Sequence, residues 1–195
     1  MSISFQQIHQ ISIDAAWYTQ PFKGFCLDSR KLEAGQIFIA LNSYSQPEKT
    51  RLFAENALNA GALAVISETD LGLANEWVCP EVRYLMGEWQ KQYLQVVDPV
   101  TALRGIAVTG TNGKTTISRL IAELISSQGQ GCAVMGTTGN GILPNLTPST
   151  HTTLDALQLQ NALHDYAKQG ASFVALEASS HGLEQGRLNG CEIEI

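Results

Sequence analysis

Apolar residues along this 195-residue chain fall into two kinds of pattern. Short uninterrupted apolar runs are typical of buried strands, and apolar residues spaced three or four apart are typical of helices with one buried face. The first kind predicts strands at residues 35–41, 62–68 and 82–86. The second predicts a helix at residues 49–61 that ends at Gly61, because glycine readily adopts the left-handed conformation that follows a helix.

A proline interrupts the pattern near the middle of the chain. The helical spacing of residues 87–95 stops just before the sequence VVDPV at residues 96–100. Proline disfavours the helical conformation in the residue before it, so this segment is predicted to be a linker. The chain is therefore expected to form two domains, at residues 1–98 and 99–195.

Strands and helices alternate more regularly after the linker. Strands are predicted at residues 103–110, 131–136 and 172–178, and helices at residues 114–129 and 152–170. A β-α-β-α-β order favours parallel strands joined by right-handed crossovers. The predicted fold class is therefore α/β, with a small N-terminal α/β domain followed by the first β-α-β-α-β half of a parallel-sheet domain.

The two later helices have predicted faces and boundaries. The first should bury one apolar stripe, made of Ile117, Leu120, Ile121, Leu124 and Ile125. The second should begin at a threonine N-cap, with Asp155 in its first turn, and end at Gly170. No pattern supports a special role for His9 or His164, which are predicted to be surface residues.

Composition and charge narrow the possible functions. The formal net charge is -6 and the pI is about 5.1, so the basic surface typical of nucleic-acid-binding proteins is not expected. The four cysteines are far apart in sequence, which argues against a CxxC metal or redox site. The N-terminal residues lack a signal-peptide pattern, and no run of about 18 apolar residues predicts membrane insertion. We therefore expect a cytoplasmic protein.

The segment Val108–Thr116, VTGTNGKTT, has the features of a phosphate-binding loop between a strand and a helix. Gly113, Lys114 and Thr115 supply the second half of the pattern G-x-x-x-x-G-K-[ST], while Val108 occupies the place of its first glycine. The free N–H groups of the helix and the charge of Lys114 would attract phosphate, and the Thr115 hydroxyl can hold Mg²⁺. A plain strand-to-helix turn with a solvated lysine is the alternative.

Polar and glycine-rich sequences follow all three predicted strands of the second domain. They are TGTNGKTT, GTTGNG and EASSHG. Ligands bind at the edge of the sheet where parallel strands have their carboxyl ends. Glu177 can contribute a Mg²⁺ contact there, or instead form a structural ion pair. His181 is either a metal or substrate contact or a structural histidine, and SSHG lacks the other parts of a serine-nucleophile site.

Several segments together resemble the Mur ligases of peptidoglycan synthesis. They are GTNGKTT, MGTTGNG, HTTLDALQLQ and EASSHGLEQGR, with LDSRKLEAGQIFIAL in the first domain. The resemblance covers nearly the whole chain and is greatest to members that add meso-diaminopimelate to UDP-N-acetylmuramoyl-L-alanyl-D-glutamate. It implies a UDP-substrate-binding domain at residues 1–98 and part of a P-loop ATPase domain at residues 99–195. ATP would phosphorylate the substrate carboxylate, and the amine of the diamino acid would displace phosphate from the acyl phosphate.

The resemblance also implies the site residues. ATP is expected to contact Gly110, Thr111, Asn112, Gly113, Lys114, Thr115 and Thr116. The UDP moiety is expected to contact Leu27, Ser29, Tyr44, Ser45 and Gln46. The muramoyl-peptide is expected to contact His151, Thr152, Thr153, Ser179, Gln185 and Arg187. Lys114 and Glu177 are expected to be catalytic, and Thr115 and Glu177 to hold Mg²⁺; helix capping is the alternative for Thr152 and Thr153.

Other interpretations stay open from the sequence alone. A generic P-loop kinase or GTPase would carry the complete loop pattern, and a non-catalytic module would bind nucleotide without turnover. Lysine-adding relatives, MurF ligases and folylpolyglutamate synthetases share parts of the pattern. The resembling enzymes are much longer, and this sequence stops at LNGCEIEI within an alternating, strand-like pattern. We therefore expect a fragment that does not ligate on its own. Its oligomeric state is left open.

Overall fold

The computed structural model describes residues 3–9, 13–43, 46–149 and 152–195. The chain divides into two units, Met1–Asp98 and Pro99–Ile195. Each unit combines helices with a sheet that contains parallel strands, so the α/β prediction is confirmed. Within the described ranges, no helix has the length and apolar character needed to cross a membrane.

The first unit is built on a four-stranded parallel sheet. Its described strands are β1 (Ile3–Ser4), β2 (Pro21–Phe22), β3 (Phe25–Cys26), β4 (Ile37–Ala40), β5 (Ala64–Ser67) and β6 (Glu76–Val78). The sheet has the order β3-β4-β5-β6, while β1 and β2 form a separate antiparallel pair. Every residue of β4 and β5 is buried, which explains their continuous apolar runs, since a strand covered on both faces needs no polar alternation.

The described residues of the first unit also form the helices α1 (Pro47–Asn59) and α2 (Val82–Val97), with short 3₁₀ turns at Phe5–Gln7, Ala16–Thr19 and Ser29–Lys31. The predicted helix at residues 49–61 is confirmed as α1, and Gly61 follows it with φ +97°. The predicted strand at residues 82–86 is wrong, because these residues begin α2. Val82, Met86 and Trp89 are all buried, and their spacing is that of one helix face.

Aromatic rings form much of the core of the first unit. Phe5 is completely buried, and its ring centroid lies 5.1 Å from that of Trp89 and 5.5 Å from that of His9. Its other ring neighbours are Trp17, Tyr18, Phe22, Phe25 and Trp77. The prediction that His9 is a surface residue is therefore wrong. Burial among these rings lowers the pKa of His9.

The described part of the second unit is a five-stranded sheet with three helices. The strands are β7 (Arg104–Val108), β8 (Cys132–Gly136), β9 (Gly139–Ile142), β10 (Asn145–Thr147) and β11 (Phe173–Glu177), and the helices are α3 (Lys114–Ser127), α4 (Ala156–Lys168) and α5 (Ser180–Glu184). The strand order is β10-β9-β8-β11-β7. As predicted, β7, β8 and β11 are parallel.

An antiparallel hairpin of β9 and β10 extends the sheet where the sequence predicts a glycine-rich loop. Its glycines hide the strand from pattern analysis, because glycine has low strand propensity and no apolar side chain. Gly141 has φ +153°, and a Cβ atom there would lie 2.3 Å from the Asn145 carbonyl oxygen. Close approach of the two hairpin strands therefore requires glycine at this position.

Small residues bring α3 against the sheet. Ser118 and Ala122 are completely buried, and Ile121 and Ile125 are partly buried in the same cluster. The rest of the predicted apolar stripe is about half exposed or more, at Ile117 (48%), Leu120 (57%) and Leu124 (66%). The predicted face is thus only half right, because small side chains allow the closest helix–sheet contact and turn the larger ones outward.

The start of α4 also differs from the prediction. Its N-cap is Asp155, whose side chain accepts a hydrogen bond from the Gln158 backbone N–H at 2.9 Å, so the predicted threonine cap is wrong. The side chain of His164 is 9% exposed, so His164 is not the surface residue predicted. Gly170 follows the helix with φ +91°, as expected for its end.

Residues 192–195 run beside β7. Gly105 donates its N–H to the Glu192 carbonyl at 2.7 Å, and Ala107 donates to the Ile195 carbonyl at 2.8 Å. Gly105 and Ile193 form an isolated parallel bridge, whereas the alternating sequence predicts a strand. A Cβ atom at Gly105 would lie 2.8 Å from the Glu192 carbonyl oxygen, so glycine permits this close pairing.

Candidate functional site

Three strand ends lie side by side at one edge of the second-unit sheet. In the register of β7 and β11, Val108 pairs with Glu177, and in that of β8 and β11, Met135 pairs with Leu176. The segments that follow Val108, Gly136 and Glu177 therefore start from adjacent positions. These are the three polar segments identified in the sequence.

The segment after β7 is an exposed loop that leads directly into α3. Gly113 is the residue before the helix and has φ +81°, a left-handed conformation in which other residues are strained. The described N-terminus of α3 has no side-chain cap hydrogen bond. The backbone N–H groups of the first turn of α3 are therefore available to an anion. Lys114 donates from Nζ to the Gly110 carbonyl at 2.6 Å, which folds the lysine over the loop.

The remaining predicted ATP contacts lie in the same short segment. Thr111 and Asn112 are exposed in the loop, Thr115 is half-buried, and Thr116 is exposed in the first turn of α3. The Thr115 carbonyl accepts a hydrogen bond from the Ser118 hydroxyl at 3.2 Å.

Glu177 is a buried carboxylate at the end of β11, with 2% of the residue exposed. Thr137 holds both of its oxygens: the backbone N–H donates to Oε1 at 2.9 Å, and the hydroxyl donates to Oε2 at 3.1 Å. Gly136 makes room for this arrangement, since a Cβ atom there would lie 2.1 Å from Oε1. Within the described residues Glu177 has no salt-bridge partner, which disfavours the structural ion-pair interpretation.

The Glu177 carboxylate retains capacity for a cation. A carboxylate offers about four lone-pair positions, and Thr137 uses one on each oxygen. No cluster of three or more acidic, histidine or cysteine side chains able to hold a metal occurs among the described residues. A single carboxylate with open lone-pair positions suits Mg²⁺, which typically takes one or two carboxylates and completes its shell with water and substrate phosphates.

The hydroxyl groups of Thr152, Thr153 and Ser179 lie close to Glu177 and Thr137. Thr153 is 6% exposed, and its hydroxyl donates to the Glu177 carbonyl at 3.0 Å and lies 3.2 Å from the Ser179 hydroxyl. Ser179 accepts from the Gly182 N–H at 3.0 Å and so caps α5. Thr152 is half-buried, with its hydroxyl 3.4 Å from that of Thr137. Thr153 and Ser179 thus have structural roles, and Thr152 has the freer hydroxyl.

Arg187 is anchored beside this cluster. Its Nη1 donates to the Thr153 carbonyl at 2.7 Å, while Nε and Nη2 donate to Gln185 Oε1 at 2.9 and 2.7 Å. A guanidinium has five N–H donors, so the three used here leave others for an anion. The structure therefore brings together Thr152, Thr153, Ser179, Gln185 and Arg187; His151 lies outside the described residues.

The predicted UDP contacts lie in the first unit. Leu27 follows β3, Ser29 begins a 3₁₀ turn, and Gln46 is the exposed residue before α1; Tyr44 and Ser45 lie outside the described residues. Between Leu27 and Ser29, the Asp28 carboxylate binds the Arg30 guanidinium through two contacts of 2.8 Å. This pairing lowers the pKa of Asp28 to about 2.

A largely buried ion pair in the first unit has no signal in the sequence. The Glu68 carboxylate accepts from Arg83 Nε at 2.9 Å and Nη2 at 3.0 Å, and it also accepts from the Asn42 N–H. Both side chains of the ion pair are less than a fifth exposed, at 16% for Arg83 and 13% for Glu68. The pair holds the backbone N–H of Asn42, which precedes the predicted UDP contact Tyr44 by two residues in the sequence.

The sequence of this chain is similar to those of known proteins. Residues 108–195 match the family model described as Mur ligase middle domain. A UDP-N-acetylmuramoyl-L-alanyl-D-glutamate–2,6-diaminopimelate ligase from Ralstonia nicotianae is 41% identical over 181 residues, which are 86% of this chain and 34% of that protein. The protein of the same name from Vibrio cholerae is 41% identical over 172 residues, or 83% of this chain and 34% of the relative. The chain thus spans about a third of these relatives.

Solved structures of ligases are also similar to this chain. A structure of a UDP-N-acetylmuramoyl-L-alanyl-D-glutamate–2,6-diaminopimelate ligase is 80% identical with a TM-score of 0.95, and the match covers 100% of this chain and 39% of that one. A MurF ligase from Thermotoga maritima, solved with ADP, is 20% identical with a TM-score of 0.52 over 81% of this chain and 32% of its own, and shows similarity of fold alone. The family model, the relatives and the structure of 80% identity together show that this chain belongs to the Mur ligase family.

Proposed function

We propose that this chain contributes the UDP-substrate-binding domain and part of the ATP-binding domain of a ligase that joins meso-diaminopimelate to UDP-N-acetylmuramoyl-L-alanyl-D-glutamate. The observation that carries the proposal is the pairing of Val108 with Glu177, which sets a buried carboxylate beside the start of the phosphate-loop segment. The names of relatives that are 41% identical support the choice of substrates.

On this proposal the loop after β7 binds the phosphates of ATP. Gly110 and Gly113 allow the backbone to approach them, the N–H groups at the start of α3 donate to their oxygens, and Lys114 leaves the Gly110 carbonyl to pair with them. Thr115 and Glu177 would hold Mg²⁺, which supplies charge neutralisation for phosphoryl transfer. The role of these residues is to position and neutralise charge.

The acceptor substrate would lie across Thr152 and Arg187. Its carboxylate attacks the terminal phosphoryl group of ATP, which gives an acyl phosphate and ADP; the amine of the diamino acid then displaces phosphate and forms the amide. The remaining N–H donors of Arg187 can bind a carboxylate or phosphate oxygen of this substrate. Leu27, Ser29 and the loop ending at Gln46 would hold the UDP moiety.

Calorimetric binding of each ligand to the full chain tests the proposal. The wild type should bind Mg·ATP and UDP-N-acetylmuramoyl-L-alanyl-D-glutamate. Lys114→Met should lose at least about tenfold in affinity for Mg·ATP, since it removes a charge-assisted contact, and should keep its affinity for the UDP ligand. Lys168→Met is the matched control, because it removes an exposed lysine of α4 in the same unit.

Two results would contradict the proposal. Preference for GTP over ATP, with no binding of the UDP ligand, would favour a generic P-loop enzyme. Equal loss of Mg·ATP affinity in Lys114→Met and Lys168→Met would mean that the loop is a plain turn whose lysine acts through net charge alone.

A further inference from the structure

His181 lies at the end of a chain of hydrogen bonds that reaches Arg187. Its Nε2 is 2.8 Å from Gln185 Nε2, and the other end of the same amide, Gln185 Oε1, accepts two hydrogen bonds from Arg187. We propose that His181 is a positioning residue, which orients Gln185 and thereby holds Arg187 in the geometry that binds the acceptor substrate. This inference rests on the proposed function. His181 need not touch the substrate for this role.

The chemistry of the three side chains allows one arrangement. A guanidinium has donors and no acceptor, so the amide must present its oxygen to Arg187. The amide nitrogen, which carries two donors, must then face His181. A flipped amide would set its N–H groups against those of Arg187 and lose both contacts of 2.9 and 2.7 Å.

This arrangement also fixes the state of the imidazole ring. Because Gln185 donates to it, Nε2 must be the unprotonated acceptor, and the ring proton must sit on Nδ1. Nδ1 lies 3.7 Å from the Glu184 carboxylate, whose negative charge favours a proton on that nitrogen. The contacts therefore form a series in which each group donates in one direction. It runs between the Glu184 carboxylate and the Thr153 carbonyl through His181, Gln185 and Arg187.

A merely structural role predicts different behaviour. His181 and Gln185 are four residues apart, so their contact could simply support the short helix α5. However, the His181 side chain is 67% exposed, and exposed contacts of this kind add little to stability. The positioning role predicts a change in ligand affinity with little change in unfolding, whereas the structural role predicts the reverse.

The test compares two variants of the full chain by calorimetry. His181→Phe keeps a ring and removes the acceptor, and His181→Gln returns an acceptor oxygen that the Gln185 amide can reach. His181→Phe should weaken binding of UDP-N-acetylmuramoyl-L-alanyl-D-glutamate about three- to tenfold, the range expected for one lost hydrogen bond. Binding of UDP alone should not change, because its proposed contacts lie in the first unit. His181→Gln should restore most of the affinity.

Three outcomes would overturn the inference: unchanged dipeptide-ligand affinity in His181→Phe, equal weakening in His181→Gln, or equal weakening of UDP. A wild type that binds neither ligand would refute the proposed function itself. A second readout then still applies, since ¹⁵N NMR of the neutral imidazole ring should show unprotonated Nε2. Arg187→Met should relax this preference, because the amide is then free to flip; a protonated Nε2 in the wild type would refute the series.

Discussion

Substituting Gly136 by alanine should disturb the buried carboxylate of Glu177 directly. An added Cβ atom would lie 2.1 Å from Oε1, 2.5 Å from Cδ and 2.6 Å from Cγ of Glu177. Distances below 3.0 Å are not tolerated by real Cβ atoms, so one of the two groups must move. The carboxylate cannot easily do so, because it is 2% exposed and both of its oxygens are held by Thr137.

The expected cost follows from two contributions. Overpacking a buried site costs about 1–3 kcal/mol. If the carboxylate is displaced, at least one of its hydrogen bonds to Thr137 is lost, and an unsatisfied buried acceptor adds about 1 kcal/mol or more. We therefore expect the free energy of unfolding of the second unit to fall by about 2–4 kcal/mol in Gly136→Ala.

The chain contains an internal reference for this measurement. Its three tryptophans, Trp17, Trp77 and Trp89, all lie in the first unit. In urea unfolding, tryptophan fluorescence should therefore stay as in the wild type, while the far-UV circular dichroism change that belongs to the second unit should move to lower urea.

A double variant provides the control for the mechanism. Glu177→Ala removes all three atoms that the new methyl group would overlap, so Gly136→Ala should cost much less in that background. A coupling energy of about 1–3 kcal/mol between the two sites is expected. Additive effects, or a Gly136→Ala variant that unfolds at the wild-type urea concentration, would refute the view that the carboxylate is rigidly held.

Three further predictions concern stability. Burial lowers the pKa of His9, so the unfolded state binds more protons than the folded state as the pH falls. In urea titrations followed by fluorescence, the contribution of His9 to the stability of the first unit should be complete above about pH 6.5 and be lost below it. His9→Phe should make this loss of stability smaller. Arg83→Met, which leaves Glu68 buried without its cation, should cost about 2–4 kcal/mol by the same assay, whereas Arg51→Met in an exposed pair should cost under about 0.5 kcal/mol. Asp155→Ala should cost about 1 kcal/mol by circular dichroism, and Asp155→Asn should restore most of it.

The elements that the sequence predicts well are those whose burial is set locally. The strands β4 and β5 are short buried runs that are apolar except for Ser67, and the helix α1 is followed by Gly61. The prediction for the start of α2 is wrong because the five residues Val82–Met86 are too few to distinguish a buried strand from one side of a helix. The hairpin of β9 and β10 is not predicted, because its glycines allow close backbone approach and contribute no apolar side chains to the pattern.

The site shows the same division between topology and detail. Parallel topology alone places the three strand ends at one edge, so the convergence of the loop segment and Glu177 could be predicted. The role of Thr137 could not, because its partner lies 40 residues further along the chain and nothing local marks the contact. The ion pair between Arg83 and Glu68 could not be predicted for a related reason. The sequence pattern places Arg83 in a strand, whereas it lies in the helix α2.

The incomplete phosphate-loop pattern has a cause in the strand register. Val108, at the place of the missing glycine, is the last residue of β7, is 9% exposed, and pairs with Glu177. Its carbonyl accepts the Ala178 N–H at 2.9 Å, so the ladder continues past this position. Glycine here would remove a buried side chain and add backbone freedom where the strand must stay extended. The pairing that favours valine also places Glu177 beside the start of the loop. The short loop and the adjacent carboxylate are therefore two consequences of one register, and neither can shift along the chain without the other.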